Sequence, residues 1–381
     1  MTHNQYTLES PSAPRRTRLR ELWQLFRENK LAILGLIIFV LFFMTAVSGV
    51  ILTSGQRPVF DPAMVRLQEK LLPPLTRPHL ESLHPTEVPT LGIYLFGTDD
   101  LGRDVFARML QGAWVSLTVG FVAVGISVLV GIFMGGIAGY FGQEYICLDH
   151  ILIAFILSAG GTLLSIGSIG SGSACLGVGL LCIVYRLFSK ILGEKLQSPG
   201  LLHKKAISID TIIMRAVDIM LCFPSFFLIL TVVALVPASM YNIMIVIGLT
   251  SWMGTTRFVR AEFLSLREQD FVTAAKALGV GNFRIIFRHM MPNAVAPVLV
   301  SATIGIATAI LTEAGLSFLG FGVPPPHATW GNILSDGKRF IFDAPWLTFI
   351  PGIGILIVVL CFNLFGEGLR DAMNPKLRER G

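Results

Sequence analysis

Long apolar runs separated by polar segments form the dominant pattern of this chain. A membrane-spanning helix needs about 20 predominantly apolar residues, and six runs meet that requirement. They are Leu31–Thr53, Ala113–Tyr140, Met214–Val236, Tyr241–Val259, Ala294–Phe318 and Pro345–Leu364. The pattern therefore predicts an all-α polytopic membrane protein with six core transmembrane helices.

A seventh apolar region, Ile151–Leu192, is long enough for two further helices. It is broken in its middle by "GSIGSGS", whose glycines and serines favour a turn. An inserted helical pair is therefore expected, which makes eight spans in total.

The distribution of Lys and Arg predicts the orientation, because short cytoplasmic loops collect these residues. With the N-terminus inside, 22 of the 30 fall in the tail, in two inner loops or after Arg370. Both termini are then cytoplasmic, and the apolar pair must cross the membrane twice or not at all.

Composition supports the membrane class, since 53% of the residues are hydrophobic and only 14% are charged. The net charge of +6 is spread over loops that flank spans, so no nucleic-acid partner is expected.

The stretch "GTDDLGRD" has the glycine spacing of a phosphate-binding loop, but Arg103 and Asp104 replace the residues that hold phosphate and magnesium. We predict no catalytic residues, no metal ligands and no enzymatic activity.

The segment "DFVTAAKALGVGNFRIIFRHMMPN" interrupts the apolar pattern. Residues 262–292 carry seven charges, and at about 3 kcal/mol each near a helix centre their burial in lipid would cost roughly 20 kcal/mol. The segment must therefore lie outside the membrane, in the cytoplasm by the orientation above. Helix formers with Phe271, Ala274, Ala275 and Leu278 on one face precede a "GVGN" break, and helical spacing resumes at Phe283.

Two interpretations of this segment stay open. An apolar stripe with an alanine pair permits close approach to another protein, and Lys276, Arg284 and Arg288 can orient an acidic partner surface. The alternative is a helical hairpin packed only against its own membrane domain.

The stretch "TAAKALGVGNFRIIFRHMMP" resembles the EAA loop of ATP-binding-cassette import permeases. Ala274, Ala275, Gly279 and Pro292 match that pattern in identity and spacing. Thr273 stands where the pattern has glutamate, so a contact made by that glutamate is not carried over. We call residues 262–293 the EAA-like loop.

Other stretches extend the resemblance to the second, C-type permease subunit of the dipeptide/oligopeptide branch. They are "FGTDDLGRDVFARMLQGAWVSL", "GYFG", "IMRAVDIMLCFPS", "EAGLSFLGFGVPPPHATWGNIL" and "FNLFGEGLRDAMNPKLR". The resemblance implies a multi-pass subunit of the bacterial inner membrane that works with a second permease subunit, two ATPases and an extracytoplasmic binding protein. ATP and Mg would be bound by the partner ATPases, with no cofactor in this chain.

The sequence and the resemblance together give the expected organisation. The segments are a cytoplasmic tail with an interfacial amphipathic helix (1–30), a first span (31–53), an extracytoplasmic segment (54–112), a permease transmembrane domain (113–368) and a cytoplasmic tail (369–381). The transmembrane domain contains an insertion (143–206) and the EAA-like loop. The ATPase-coupling residues expected in that loop are Thr273, Ala274, Ala275, Lys276, Gly279, Arg284, Arg288 and Pro292.

Two further residues are candidates for gating or for the transport pathway. Pro224 would kink its helix, which suits either gating or a static bend. Glu313 lies near the outer end of a span, where it could line the passage or contact a neighbouring helix.

Peptide import is the leading function, and nickel chelates, glutathione or another small solute are alternative substrates. An ion-driven secondary transporter and a non-transporting membrane scaffold are the alternatives of another class.

Overall fold

The computed structural model describes residues 23–55, 58–81, 83–84, 87–142, 145–147, 178 and 205–373. The described residues are predominantly helical, which confirms the all-α prediction. The expected inserted pair within residues 151–192 and most of both tails lie outside the described residues, as does the first part of the amphipathic helix.

The helices vary widely in length. In chain order they are α1 (Lys30–Thr53), α2 (Val105–Tyr140), α3 (Ile209–Leu221), α4 (Ser225–Leu235), α5 (Met240–Leu249), α6 (Trp252–Arg267), α7 (Asp270–Ala277), α8 (Asn282–Arg284), α9 (Met291–Phe318), α10 (Trp330–Gly337) and α11 (Trp346–Met373). Four of them (α1, α2, α11 and the part of α9 from Pro297) are long and apolar enough to cross a membrane. A fifth span is added if α3 and α4 are counted as one broken helix.

The second predicted span begins earlier than the apolar pattern suggested. Helix α2 starts at Val105 rather than at Ala113, because the Asp104 carboxylate accepts a hydrogen bond from the Phe106 backbone N–H and caps the first turn. Burial raises the pKa of Asp104, and the hydrogen bond from Phe106 partly offsets that rise. The first residues of α2, 105–112, therefore lie within the segment expected at 54–112.

The predicted span Tyr241–Val259 is wrong as a single helix. It forms α5 and α6, which are separated at Thr250 and Ser251. The Thr250 hydroxyl donates to the Val246 carbonyl at 2.6 Å and the Ser251 hydroxyl donates to the Ile247 carbonyl at 2.7 Å. These side chains satisfy carbonyls at the end of α5, where the helix stops.

The chain forms two compact units. The larger contains Met1–Ile132, Phe223–Val259 and Met291–Gly381, and the smaller contains Phe133–Cys222 and Arg260–Met290. In the larger unit α1 packs along α11, where the Asn29 side chain donates to Asp371 at 3.4 Å and the Phe26 and Phe365 rings meet edge to face. The amino end of α1 therefore lies beside the carboxyl end of α11.

The larger unit also contains a group of ionic side chains that are buried or half-buried, which we call the Asp99 cluster (Asp99, Arg103, Arg108 and Asp336). The Asp99 carboxylate is fully buried and accepts from the Arg103 side chain at 2.7 Å and from Arg108 at 2.5 Å. Both arginines also donate to Asp336, at 3.2 and 3.0 Å. The "GTDDLGRD" stretch is thus a loop held by ion pairs to α10.

The smaller unit contains the only strands among the described residues. Strands β1 (Tyr145–Cys147) and β2 (Lys205–Ser208) pair antiparallel, with Tyr145 opposite Ser208 and Ile146 opposite Ile207. Their backbones bring the two ends of the expected insertion 143–206 together.

Candidate functional site

The EAA-like loop has the predicted order of helix, break and helix. Helix α7 ends in a hydrogen-bonded turn in which Gly279 donates to the Lys276 carbonyl at 3.0 Å and Val280 donates to the Ala275 carbonyl at 3.1 Å. Gly279 has φ +72°, a left-handed conformation that glycine adopts without a steric penalty. The second limb begins with α8 and continues as a π-helix, Ile285–Met290. Local sequence signals therefore sufficed to predict this turn.

The predicted outward stripe of α7 is only partly correct. Ala274 is exposed, but Ala275 is buried together with Val272. On the second limb Ile285 and Met290 are fully buried, and this limb packs against α7. Because positions 272 and 275 share a helical face, Ala275 belongs to the contact between the limbs and not to the outer surface.

The outer surface of the loop carries large apolar side chains, which we call the exposed patch (Phe271, Leu278, Phe283 and Phe287). Leu278 is 82% exposed and Phe283 is 74% exposed. The rings of Phe283 and Phe287 lie 4.5 Å apart between centroids. A soluble surface rarely keeps such side chains together without a partner.

The loop also exposes polar and charged side chains. Thr273, Arg284 and Arg288 are all exposed. The Thr273 hydroxyl donates to the Asp270 carbonyl within its own turn. Among the described residues no carboxylate forms an ion pair with either arginine. The exposed side chains of the loop are therefore large apolar groups together with two arginines.

The base of the loop is fixed by side chains that the sequence analysis did not select. The Tyr140 hydroxyl donates to the Asn282 side-chain oxygen at 2.7 Å, and the Lys276 ammonium lies 5.3 Å from the centroid of the Tyr140 ring. Arg260 forms two hydrogen bonds to Asp210, one of them 2.6 Å long, and the bonded carboxylate raises the pKa of Arg260. The "GYFG" stretch, directly at the end of a predicted span, was the sequence signal for Tyr140.

The prolines among the candidate residues differ in position. Pro292 is exposed in the first turn of α9, and the helix is not interrupted there. The irregular turn is the π-helix that precedes it. Its wider turn accommodates Pro292, which lacks a backbone N–H donor. Pro224 caps the start of α4, and the predicted kink is a complete break over residues 222–224.

Glu313 is fully buried in the larger unit. Its carboxyl accepts from the Ser317 hydroxyl at 2.6 Å, and that hydroxyl lies 3.4 Å from the hydroxyl of Thr329, the capping residue of α10. The second carboxyl oxygen has no hydrogen-bond partner among the described side chains and backbone. The Ser317 hydroxyl thus links Glu313 to the start of α10, and both sequence interpretations of Glu313 stay predictions.

Within the part of the chain that the structure describes, one group of carboxylates is close enough to hold a cation, namely Asp99, Asp100 and Asp336. Arg103 and Arg108 already donate to two of these three residues. The two guanidinium groups balance two of the three carboxylate charges and occupy their oxygen atoms, so the site does not fit a divalent metal ion.

Comparisons with known proteins identify the family. Residues 203–379 match the "Binding-protein-dependent transport system inner membrane component", and residues 17–74 match the "N-terminal TM domain of oligopeptide transport permease C". A dipeptide transport system permease protein DppC of Alkalihalophilus pseudofirmus is 36% identical over 98% of this chain and 93% of its own length. The chain belongs to this permease family. The oligopeptide transport system permease protein OppC of Bacillus subtilis is 32% identical over 93% of this chain and 88% of its own length.

Membership settles several predictions. The permease is a membrane component of an importer and not an enzyme, and ATP hydrolysis in such systems belongs to partner ATPase subunits. The resemblance noted in the sequence and the multi-pass all-α architecture are confirmed. The roles of individual residues in the EAA-like loop stay predictions.

Proposed function

We propose that this permease is one half of the transmembrane pathway of an importer for di- or oligopeptides. The substrate class is supported by relatives named for dipeptide and oligopeptide transport, which include a Haemophilus influenzae DppC that is 32% identical over 96% of this chain. A second permease subunit completes the pathway, and an extracytoplasmic binding protein delivers the peptide. Two ATPase subunits bind ATP and Mg.

We infer that both termini and the EAA-like loop are cytoplasmic. The Lys and Arg distribution supports this orientation. The hydrogen bond between Asn29 and Asp371 supports a common side for the two ends of the membrane region.

One observation, the exposed patch, supports docking of the EAA-like loop on an ATPase. Leu278 and Phe283 are exposed at a turn whose two limbs pack against each other and bury Val272, Ala275 and Ile285. A partner groove that covered one such leucine would gain about 1.5–3 kcal/mol from its burial. Arg284 and Arg288 favour an acidic rim on that groove.

The loop acts in this proposal as a rigid lever. ATP-driven closure of the ATPases displaces the docked loop, and the displacement biases the transmembrane helices between inward-open and outward-open states. Rigidity matters because a flexible loop would absorb the movement. The packed limbs and the hydrogen-bonded turn at Gly279 supply it.

Substitution of Leu278 by Asp tests the docking role. The variant should lose at least about ten-fold in ATPase co-purification and in uptake, because it places an unpaired charge in an apolar contact. Leu80→Asp is the matched control for co-purification, since Leu80 is a leucine that is 66% exposed in the segment between α1 and α2. Normal ATPase retention by Leu278→Asp would refute the docking surface.

Uptake in a strain that lacks the native permease tests the substrate. Labelled dipeptides and tripeptides should accumulate only when the permease and its partner subunits are present. Accumulation of nickel chelates or glutathione in place of peptides would assign the same importer to those solutes.

A further inference from the structure

The "GYFG" stretch, Gly139–Gly142, ends α2 and has no part in the proposed docking surface. Its first glycine lies where α2 crosses α6 closely. A Cβ atom at Gly139 would come within 2.9 Å of the Arg260 carbonyl oxygen and 2.5 Å of the Phe263 Cβ. Only glycine fits this crossing without a shift of the backbone, so the end of α2 is pressed against the helix that leads into the EAA-like loop.

Tyr140 contacts both limbs of the loop. The side chain is only 7% exposed, although it stands at the end of its helix. Its hydroxyl donates to Asn282 at the start of the second limb, and its ring faces the Lys276 ammonium on the first limb. One side chain thus holds the two sides of the turn at Gly279 in a fixed relation to α2.

A second connection supports the same arrangement. Arg260, at the crossing with Gly139, forms a two-bonded ion pair with Asp210 near the start of α3. A Cβ atom at Gly142 would lie 3.6 Å from the Asp210 Cβ. The "GYFG" stretch is therefore packed against α3, the part of α6 from Arg260 and residues 276–282 of the EAA-like loop, and all of these lie in the smaller unit.

We propose that Tyr140 is a positioning residue that transmits movement between the EAA-like loop and α2. Helix α2 extends as one helix from Val105 to Tyr140, so a displacement applied at its last residue can be carried along it. The Tyr140 hydroxyl fixes the second limb and the ring fixes the first, which makes the loop and α2 move together. The inference rests on the proposed coupling to an ATPase.

The test is the number of peptides transported per ATP hydrolysed by the complete complex in proteoliposomes. Tyr140→Phe removes the hydroxyl and keeps the ring. Loss of one hydrogen bond corresponds to about a three- to ten-fold fall in this ratio, while the ATPases stay bound because the exposed patch is intact. Tyr241→Phe is the matched control, because Tyr241 is 69% exposed on α5.

Substitutions at Asn282 separate positioning from general stability. Asn282→Ala should lower the ratio as Tyr140→Phe does, and the double variant should be no worse than either single variant. Asn282→Asp keeps the oxygen that accepts the bond and should retain coupling. Additive losses, or an unchanged ratio in Tyr140→Phe, would overturn the proposal.

A second measurement needs neither substrate nor partner subunits. In the purified full chain, Tyr140→Phe should raise the rate of limited proteolysis at residues 279–281 about three- to ten-fold, because the turn is less firmly held. An unchanged cleavage rate would show that the hydroxyl does not position the loop. Failure of the docking proposal is distinct, since it would appear as normal ATPase retention by Leu278→Asp.

Discussion

The EAA-like loop and the Asp99 cluster are both charged regions beside apolar helices, yet they treat their side chains in opposite ways. In the Asp99 cluster the Asp99 carboxylate is 0% exposed and Arg108 is 3% exposed, and every ionic group has a partner in the same chain. In the EAA-like loop Leu278 is 82% exposed, while Arg284 and Arg288 point into solvent. The first region is complete in itself, and the second has the composition of half an interface.

Energetics explain the difference. A buried charge is tolerated only where it is paired and hydrogen-bonded, and the Asp99 carboxylate accepts two backbone N–H bonds in addition to its arginines. Exposed apolar side chains cost little until a partner covers them, at which point their burial becomes favourable. The Asp99 cluster is therefore expected to contribute to folding, whereas the exposed patch contributes to assembly in the proposed docking.

Removal of a partner from the Asp99 cluster gives the largest expected effect. Arg108→Met removes the more buried of the two guanidinium partners of the buried Asp99 carboxylate, which should lower the free energy of unfolding by about 3 kcal/mol. Arg215→Met is the matched control, because the Arg215–Asp218 pair is exposed and its loss should cost under about 1 kcal/mol. Thermal unfolding in detergent measures both variants. Equal losses of stability would contradict the assignment of the cluster to folding.

These regions also show how far the sequence could be interpreted. The order of α7, turn and second limb follows from local signals, namely helical spacing and the glycines at 279 and 281. The outward face did not follow, because the burial of Ala275 depends on how the second limb packs. Arg108 and Asp336 are 228 positions apart, so a single sequence cannot pair them.

The same limit applies to the membrane helices. Apolar length predicted α1, α2, α9 and α11 within a few residues, except at the start of α2 and at the end of α11, which continues to Met373. It missed the end of α5, where the Thr250 and Ser251 hydroxyls bond to backbone carbonyls. The length of an apolar run depends only on composition, so it does not detect hydroxyl groups that end a helix by bonding to backbone carbonyls.

The same chemical change at two buried carboxyls sharpens the comparison. Asp99→Asn should cost about 2 kcal/mol, since it removes the charge that binds two guanidinium groups. Glu313→Gln should cost under about 1 kcal/mol, because no described cation pairs with Glu313 and the amide oxygen can still accept from Ser317. Thermal unfolding of the two variants measures and compares their losses of stability. A greater loss at Glu313 than at Asp99 would show that the Glu313 carboxyl has a charged role.

Charge reversal on the EAA-like loop should affect assembly and leave folding intact. Arg284→Glu with Arg288→Glu repels an acidic rim, so ATPase affinity should fall about ten-fold at low salt and recover in part at high salt. The unfolding temperature of the isolated permease should stay unchanged, since both side chains are exposed. An affinity that does not respond to salt would mean that the partner surface is not acidic.

The smallest expected effect comes from one methyl group at the turn of the EAA-like loop. Gly279 and Gly281 both face open space, so an added Cβ atom clashes with nothing at either position. They differ in backbone conformation, because Gly279 has φ +72° and Gly281 has φ −62°. Gly279→Ala should therefore cost about 1 kcal/mol through strain alone, while Gly281→Ala should be neutral or slightly stabilising.

The strain falls on the turn that carries Leu278. The ATPase affinity of Gly279→Ala should therefore be about five-fold weaker, while the ion pairs of the Asp99 cluster stay unchanged. Equal affinities of the two alanine variants would show that the left-handed turn is not needed for assembly.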